Sequence, residues 1–148
     1  MTLSKTKPSV LVVDDTPAIL HYLRTVLEAD AYSVETASGG QEALRRLQEG
    51  SSDPDVVLLD LQMPGMDGLE TLRGILALRP RQKVIMCSAV SDPEVAREAR
   101  SLGAQAYLTK PVPHLYLSAA LEGALAQRAS EQASALRGQV VTIEPRYQ

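Results

Sequence analysis

The sequence contains neither tryptophan nor phenylalanine, so aliphatic side chains must fill almost all of any hydrophobic core. With 45% hydrophobic residues among 148, the chain can form one ordinary domain. Its only cysteine, Cys87, excludes an intramolecular disulfide and favours a reducing, cytoplasmic location. Because Cys87 lies in the apolar run VIMC, a buried structural thiol is a better interpretation than a nucleophile.

Long apolar runs and a strong excess of one charge are also missing. No segment reaches the roughly 18 uninterrupted apolar residues of a membrane span, and the start, MTLSKTKPSV, lacks the apolar stretch of a signal peptide. Lys plus Arg is 15 and Asp plus Glu is 18, which gives a net charge of -3. This charge does not suggest bulk nucleic-acid binding, although a local basic patch stays open as an alternative. We expect a soluble protein that neither inserts into membranes nor binds nucleic acid directly.

Five short apolar runs alternate with five segments of helical periodicity. Four of the runs lack polar alternation, which is typical of strands covered on both faces, and the second run is the weakest. The predicted strands are residues 10–13, 32–37, 56–59, 84–87 and 106–108. Repeated alternation of strand and helix predicts an α/β fold, a doubly wound parallel sheet with helices on both faces.

The helical segments have recognisable starts and stops. Thr16 is a candidate N-cap, followed by Pro17 at the first helical position. The second helix is predicted over residues 40–47 with an end near Gly50, the third over 69–78, the fourth from Asp92-Pro93 to Gly103, and the fifth from about Pro113.

The chain divides into three predicted parts: an N-terminal extension over residues 1–8, one domain over 9–128 and a C-terminal tail over 129–148. We expect the tail to extend the last helix to about Arg137, where Gly138 ends it and VVTI becomes extended. Three alternatives stay open for the tail: it packs back on the domain, pairs with a second subunit, or remains mobile.

Polar residues follow the predicted strands. They are Asp14 and Asp15 after the first, Asp60 after the third, Ser88 after the fourth and Lys110, followed by Pro111, after the fifth. A doubly wound sheet binds ligands beyond the carboxyl ends of its strands, so we expect these residues to share one edge. Three carboxylates and one ammonium there suit a divalent cation and a phosphoryl group. Taken singly, each has a plainer interpretation as a loop, turn or solvated residue.

Four segments, VLVVDD, LLDLQMPGMDG, MCSA and YLTKP, occur in this order at the predicted strand ends. Together they resemble the receiver domain of two-component response regulators over roughly residues 10–128. The resemblance implies a flavodoxin-like, five-stranded sheet of order 2-1-3-4-5 and a phosphorylation-controlled signalling switch. It implies a stand-alone domain, because only about twenty residues follow, too few for a DNA-binding unit.

The resemblance also assigns the acidic residues. Asp60 would be the phosphoacceptor. Asp14 and Asp15 would organise a Mg²⁺ ion, with Asp60 itself and the backbone carbonyl of Gln62 as further ligands. The protein would not be an enzyme beyond its own phosphorylation and dephosphorylation.

Three further residues would respond to the phosphoryl group. Lys110 would pair with it or with the unmodified carboxylate, and Ser88 would donate its hydroxyl to a phosphoryl oxygen. Tyr107 would be the aromatic switch residue on the last strand, although an ordinary half-buried tyrosine is the competing interpretation.

A histidine kinase or a histidine phosphotransfer protein would donate the phosphoryl group, and an unidentified protein would receive the signal. Candidate docking positions are Pro17, Leu20 and Leu23, with core packing as the competing explanation. A homodimer is also open, with a seam of Leu117, Leu121 and Leu125 on the fifth helix; these leucines are better explained by packing on the sheet.

Two other functions use the same residues. A metal-dependent phosphohydrolase would share the aspartyl nucleophile, but residues 61–63 are Leu, Gln and Met and supply no second acid or base. A constitutive scaffold with an unused site is disfavoured by the complete set of polar residues.

Overall fold

The computed structural model describes residues 7–143, with side chains described through residue 137, and shows five strands alternating with five helices. In chain order the elements are β1 (Ser9–Val13), α1 (Pro17–Ala29), β2 (Ser33–Ala37), α2 (Gly40–Glu49), β3 (Val56–Leu59), α3 (Gly68–Leu78), β4 (Lys83–Ser88), α4 (Pro93–Leu102), β5 (Ala106–Thr109) and α5 (His114–Ile143). Each predicted element falls on one of these, with ends that differ by at most two residues, apart from the end of α5. The predicted α/β class is confirmed.

All strand pairs are parallel, and their order is β2-β1-β3-β4-β5, which confirms the flavodoxin-like sheet. At the end of β1, Val13 lies opposite Ala37 of β2 and Leu59 of β3. The backbone amide of Asp60 then donates to the carbonyl of Val13 at 3.0 Å, and that of Asp14 to Ala37 at 3.1 Å. The strands therefore finish level, and Asp14 and Asp60 leave the sheet side by side.

Alternate strand residues enter two separate cores, one on each face of the sheet. The first core is covered by α2, α3 and α4 and includes Leu11, Val13, Val57, Leu59, Leu72 and Ile75. The second is covered by α1 and α5 and includes Val10, Val12, Leu27, Leu58, Ile85, Leu117 and Leu121. Because both faces of β1 and β3 are buried, these strands are apolar without alternation, as their sequence predicted.

Cys87 lies in the second core and is 6% exposed. Burial raises the pKa of its thiol to about 12, so the sulfur stays protonated at neutral pH. The interpretation of Cys87 as a buried structural thiol is confirmed.

The starts and ends of α1, α2 and α4 follow the predicted signals, except that the Thr16 side chain does not cap α1. Asp92 caps α4 through its side chain, and Gly50 and Gly103 end α2 and α4 with left-handed φ values of 81° and 119°. Thr16 occupies the N-cap position of α1, but its side chain makes no capping hydrogen bond. Its backbone amide instead donates to Asp14 Oδ1 at 2.9 Å, which ties the start of α1 to the sheet edge.

The prediction that Gly138 ends α5 is wrong, because the helix continues through Gly138 to Ile143. A single glycine costs a helix only about 1 kcal/mol relative to alanine, which weakens it without terminating it. Residues 144–148 lie outside the described residues. Within 7–143, no helix combines the length and apolar character that crossing a bilayer demands.

We predict that Leu121→Ala lowers the free energy of unfolding by about 3 kcal/mol, because the side chain is fully buried and its removal leaves a cavity. Leu115 lies on the same helix but is 74% exposed, so Leu115→Ala should change stability by no more than about 0.5 kcal/mol. Urea denaturation of both variants measures the difference. Equal losses would contradict the assignment of this helix face to the core.

Candidate functional site

Three carboxylates converge where β1 and β3 end. One carboxylate oxygen from each of Asp14, Asp15 and Asp60 lies within 4.8 Å of the other two. Asp14 is 2% exposed and Asp60 7% exposed, whereas Asp15 is open to solvent. The level ends of two neighbouring strands produce this cluster, which confirms that these aspartates share one edge.

Lys110 brings a positive charge to the cluster from the end of β5. Its Nζ donates to Asp14 Oδ2 at 2.8 Å and lies 3.6 Å from Asp60 Oδ1. Its backbone amide donates to the carbonyl of Ser88 at 2.7 Å, which continues the β4–β5 pairing up to the site, and the Lys110–Pro111 bond is cis.

Burial and neighbouring charges both shift the pKa values of Lys110 and Asp60. Burial lowers the pKa of Lys110, but the hydrogen bond and charge of Asp14 and the charge of Asp60 outweigh it, so the net shift is upward. Burial also raises the pKa of Asp60; the charge of Lys110 opposes this shift, and Asp14 and Asp15 reinforce it. Lys110 therefore stays charged at neutral pH, and an unneutralised Asp60 carboxylate is costly in this position.

The donor set fits a hard divalent cation. Carboxylate oxygens are the ligands that Mg²⁺ prefers, and it is commonly held by one or two of them together with water and phosphate oxygens. The backbone amide of Gln62 reaches Asp60 Oδ1 only at 3.4 Å, a weak hydrogen bond that leaves this carboxylate oxygen open to other partners. The carbonyl of Gln62 as a ligand stays a prediction.

Ser88 and Tyr107 hold the same residue of the loop between β4 and α4. Ser88 is fully buried, and its Oγ accepts a hydrogen bond from the amide of Val90 at 3.1 Å. Tyr107 is half-buried, and its hydroxyl donates to the carbonyl of Val90 at 2.6 Å. Hydrogen bonds to one residue of β4 and one residue of β5 therefore hold Val90 in the loop beside the acidic cluster.

A family model described as the response regulator receiver domain matches residues 10–122, which is most of the chain. The chain belongs to this family. The predicted resemblance is confirmed. Receiver domains bind Mg²⁺ at an acidic pocket, and the three aspartates here form a cluster that could hold a metal ion.

Known proteins match the receiver domain in sequence and structure. Transcriptional regulatory protein ZraR of Escherichia coli K12 is 41% identical over 117 residues, which cover 79% of this chain and 26% of ZraR. Chemotaxis protein CheY of Listeria monocytogenes is 38% identical over 103 residues, covering 69% of this chain and 85% of CheY. A chain in the crystal structure of the CheX-CheY-BeF3-Mg²⁺ complex from Borrelia burgdorferi has a TM-score of 0.75 at 26% identity, covering 78% of this chain and 87% of that chain. The chain thus spans about a quarter of the length of ZraR.

Two features of the receiver site escaped prediction from the sequence. Val90, which lies just after the MCSA segment, links Ser88 to Tyr107 through its backbone amide and carbonyl. Gly68, at the start of α3, packs so closely on the chain after Asp60 that a Cβ there would lie 2.5 Å from the Cα of Leu61. The only sequence signal for Gly68 was the Asp-Gly turn.

We predict that Asp60→Asn stabilises the protein by about 1 kcal/mol in chelator-treated buffer at neutral pH, because it removes a buried charge from the cluster. The folded-state pKa of Asp60 is raised, so protonation favours the folded state. The stability advantage of the variant should grow as the pH rises from about 4 through that raised pKa and then level off. Thermal unfolding across this range measures the effect, and a variant less stable at every pH would contradict it.

We predict that Gly68→Ala displaces the segment that follows Asp60, because the added methyl group would overlap the carbonyl of Asp60 and the Cα of Leu61. Overlap in a packed region costs about 1 to 3 kcal/mol. Gly39→Ala is the matched control, since a Cβ at Gly39 meets nothing within 4 Å. Urea denaturation together with backbone amide chemical shifts of residues 60–62 would measure both effects, and equal behaviour of the two variants would refute the packing argument.

Proposed function

We propose that this receiver domain is a signalling switch that accepts a phosphoryl group on Asp60 from a histidine kinase or a histidine phosphotransfer protein. The placement of Asp60 carries the proposal. Its carboxylate lies 3.6 Å from the Lys110 ammonium and within 4.8 Å of the carboxylate oxygens of Asp14 and Asp15. A carboxylate nucleophile beside a fixed cation and further hard oxygen ligands suits phosphoryl transfer.

Mg²⁺ is the expected cofactor, held by Asp14, Asp15 and Asp60, with the carbonyl of Gln62 as a further ligand. When bound, the ion supplies positive charge that offsets the carboxylates and the phosphoryl oxygens. The Borrelia burgdorferi CheX-CheY complex supports this assignment, since it contains both Mg²⁺ and an anionic beryllium fluoride.

The transfer requires two residues of this chain to act together. One oxygen of Asp60 attacks the phosphorus of a phosphohistidine; the new bond is an acyl phosphate, the N–P bond breaks, and its electron pair stays on the imidazole nitrogen. Lys110 is already held beside Asp60 by Asp14, so its ammonium can stabilise the charge of the transferring group without reorganising.

The conformational response would begin at Ser88. A phosphoryl group adds about -1.5 to -2 charge and three acceptor oxygens, and a charge-assisted hydrogen bond from Ser88 is stronger than a neutral one. Movement of Ser88 toward the phosphoryl group would pull on the amide of Val90, whose carbonyl is bonded to Tyr107. We expect the β4–α4 loop and the surface of α4, β5 and α5 to shift as a result.

The phosphodonor is expected to dock beside α1. An apolar cavity of about 510 Å³ lies between α1 and α5; Leu23 lines it, and Lys110 borders it next to the site. Of the other predicted docking positions, Pro17 is exposed, whereas Leu20 is half-buried and packs against the second core. Leu23 packs against the same core, so core packing accounts for part of the apolar character of both leucines.

Receiver domains act as signalling switches rather than as classical enzymes, and the output proposed for this one is contact with an unidentified protein. Because the chain spans about a quarter of ZraR, a role in transcription is not carried over from that relative. A cytoplasmic location stays a prediction from the single cysteine.

We predict that acetyl phosphate with Mg²⁺ adds one phosphoryl group per chain, because Asp60 is a nucleophile aligned with Lys110. Intact mass spectrometry under non-hydrolysing conditions measures the adduct. The adduct should be absent in Asp60→Asn and after chelation of Mg²⁺, whereas Asp67→Asn, at the exposed cap of α3, should still be modified. Modification of Asp60→Asn at the same stoichiometry would refute the assignment.

A second assay separates the switch from a phosphohydrolase. The switch should give at most a stoichiometric reaction, whereas a hydrolase would turn over p-nitrophenyl phosphate continuously. The side chains that follow Asp60 favour the switch, because Leu61 and Met63 are apolar and Gln62 is neither acid nor base. Partner binding that is unchanged between Asp60→Asn and the wild type in the presence of a phosphodonor would instead indicate a constitutive scaffold.

A further inference from the structure

The space between α1 and α5 forms a cavity of about 510 Å³ that reaches the carboxyl end of β4. One wall is α1 over residues 19–26, and the other is the segment of residues 110–114 that joins β5 to α5. Cys87 and Leu117 form the floor and are only 6% and 4% exposed. Leu117 therefore packs toward the sheet rather than in a dimer seam. The cavity extends below the surface of the two helices to the second core.

The lining of this cavity is almost entirely apolar, which follows from the composition of the chain. Without phenylalanine or tryptophan, short side chains such as Ala89 and Val112 form the walls and leave space between them. Such a surface offers water few hydrogen-bond partners, and an apolar cavity of about 150 Å³ already admits benzene. Sites for small organic molecules measure about 300 to 1,000 Å³ and combine apolar walls with a few polar groups. This cavity has that size and character.

Two lining residues connect the cavity to charged groups. Lys110 donates to Asp14 and lies 3.6 Å from Asp60 Oδ1. His114 Nε2 lies 2.6 Å from Asp30 Oδ2, at the end of α1. Three carboxylates therefore face one ammonium and one imidazole, and the charge of these groups is negative whether or not the imidazole is protonated. This balance disfavours an anionic ligand and accepts a neutral or cationic one.

The wall between β5 and α5 accepts hydrogen bonds more readily than it donates them. Pro111 and Pro113 have no N–H, and the backbone amide of Lys110 is already bonded to the carbonyl of Ser88. On the opposite wall, the Tyr22 side chain is 60% exposed. The face of such a ring attracts other aromatic rings and cations. Both walls therefore favour a flat ring that carries an N–H or an ammonium group.

We propose that this cavity binds a small aromatic molecule that has a hydrogen-bond donor and no negative charge. The ring lies above Cys87 and Leu117, and the donor faces residues 110–114. A protein docked on α1 reaches this floor only with a single side chain, whereas a free ring fills the space. The proposal concerns the cavity alone and does not rest on the phosphoacceptor role of Asp60.

Three probes with the same ring test the charge preference: indole is neutral, tryptamine is cationic and indole-3-acetate is anionic at neutral pH. Because the chain has no tryptophan, the fluorescence anisotropy of each probe reports binding without a background from protein indoles. We expect indole and tryptamine to bind with dissociation constants on the order of 0.1 to 1 mM. Indole-3-acetate should bind at least about tenfold more weakly. Asp60→Asn should bind indole like the wild type.

Cavity-filling variants test the location. Val112→Phe should raise the dissociation constant of indole at least about tenfold, because the added ring occupies the cavity. Leu115→Phe is the matched control: it adds the same ring at a side chain that is 74% exposed and does not line the cavity. Circular dichroism shows whether each variant is folded, and Ile19→Phe fills the cavity from α1 if Val112→Phe does not fold.

Backbone amide chemical shifts locate the bound ring in the wild type. Indole should shift the amides of residues 19–26 and 114–117 more than those of the remaining helices. Absence of saturable indole binding would leave this surface to protein contacts and overturn the proposal. Equal affinity for indole-3-acetate and tryptamine, shifts centred elsewhere, or equal binding by the Val112→Phe and Leu115→Phe variants would each overturn it as well.

Discussion

One balance of charge underlies the rest of this receiver domain: three carboxylates meet a single ammonium at the edge of the sheet. Asp14 and Asp60 are almost fully buried, so water does little to separate their charges, and Lys110 is the cation that reaches both. The balance is incomplete, because the net charge of the four groups is still negative. A divalent cation would offset this negative charge before a phosphoryl group brings more of it, which is a physical reason for the two events to be linked.

Much of the fold was predictable because the core is aliphatic and the strands are central. Apolar runs without alternation indicate strands covered on both faces, and proline and glycine signals at Pro17, Asp92-Pro93, Gly50 and Gly103 fall where helices begin and end. Alternation of elements predicts a parallel sheet, but it does not give the order 2-1-3-4-5, which came from the family resemblance. Asp14, Asp60 and Lys110 were predictable as neighbours because every candidate residue follows a strand.

The details that were missed depend on contacts that a sequence pattern does not encode. The hydrogen bonds that join Ser88 and Tyr107 to Val90 depend on the path of a loop, and the need for Gly68 depends on the close approach of another segment. Gly138 does not end α5, because one glycine weakens a helix by only about 1 kcal/mol relative to alanine.

The register between β1 and β3 limits how this site can change. Because Val13 is level with Leu59, Asp14 and Asp60 emerge together. Side chains alternate between the two faces of a strand, so inserting or deleting one residue in β3 would turn Asp60 toward the opposite core and bring an aliphatic side chain to the edge. Length variation is therefore excluded from these strands. Diversification of the site must come from substitutions and from loops, whose lengths can vary without moving the nucleophile.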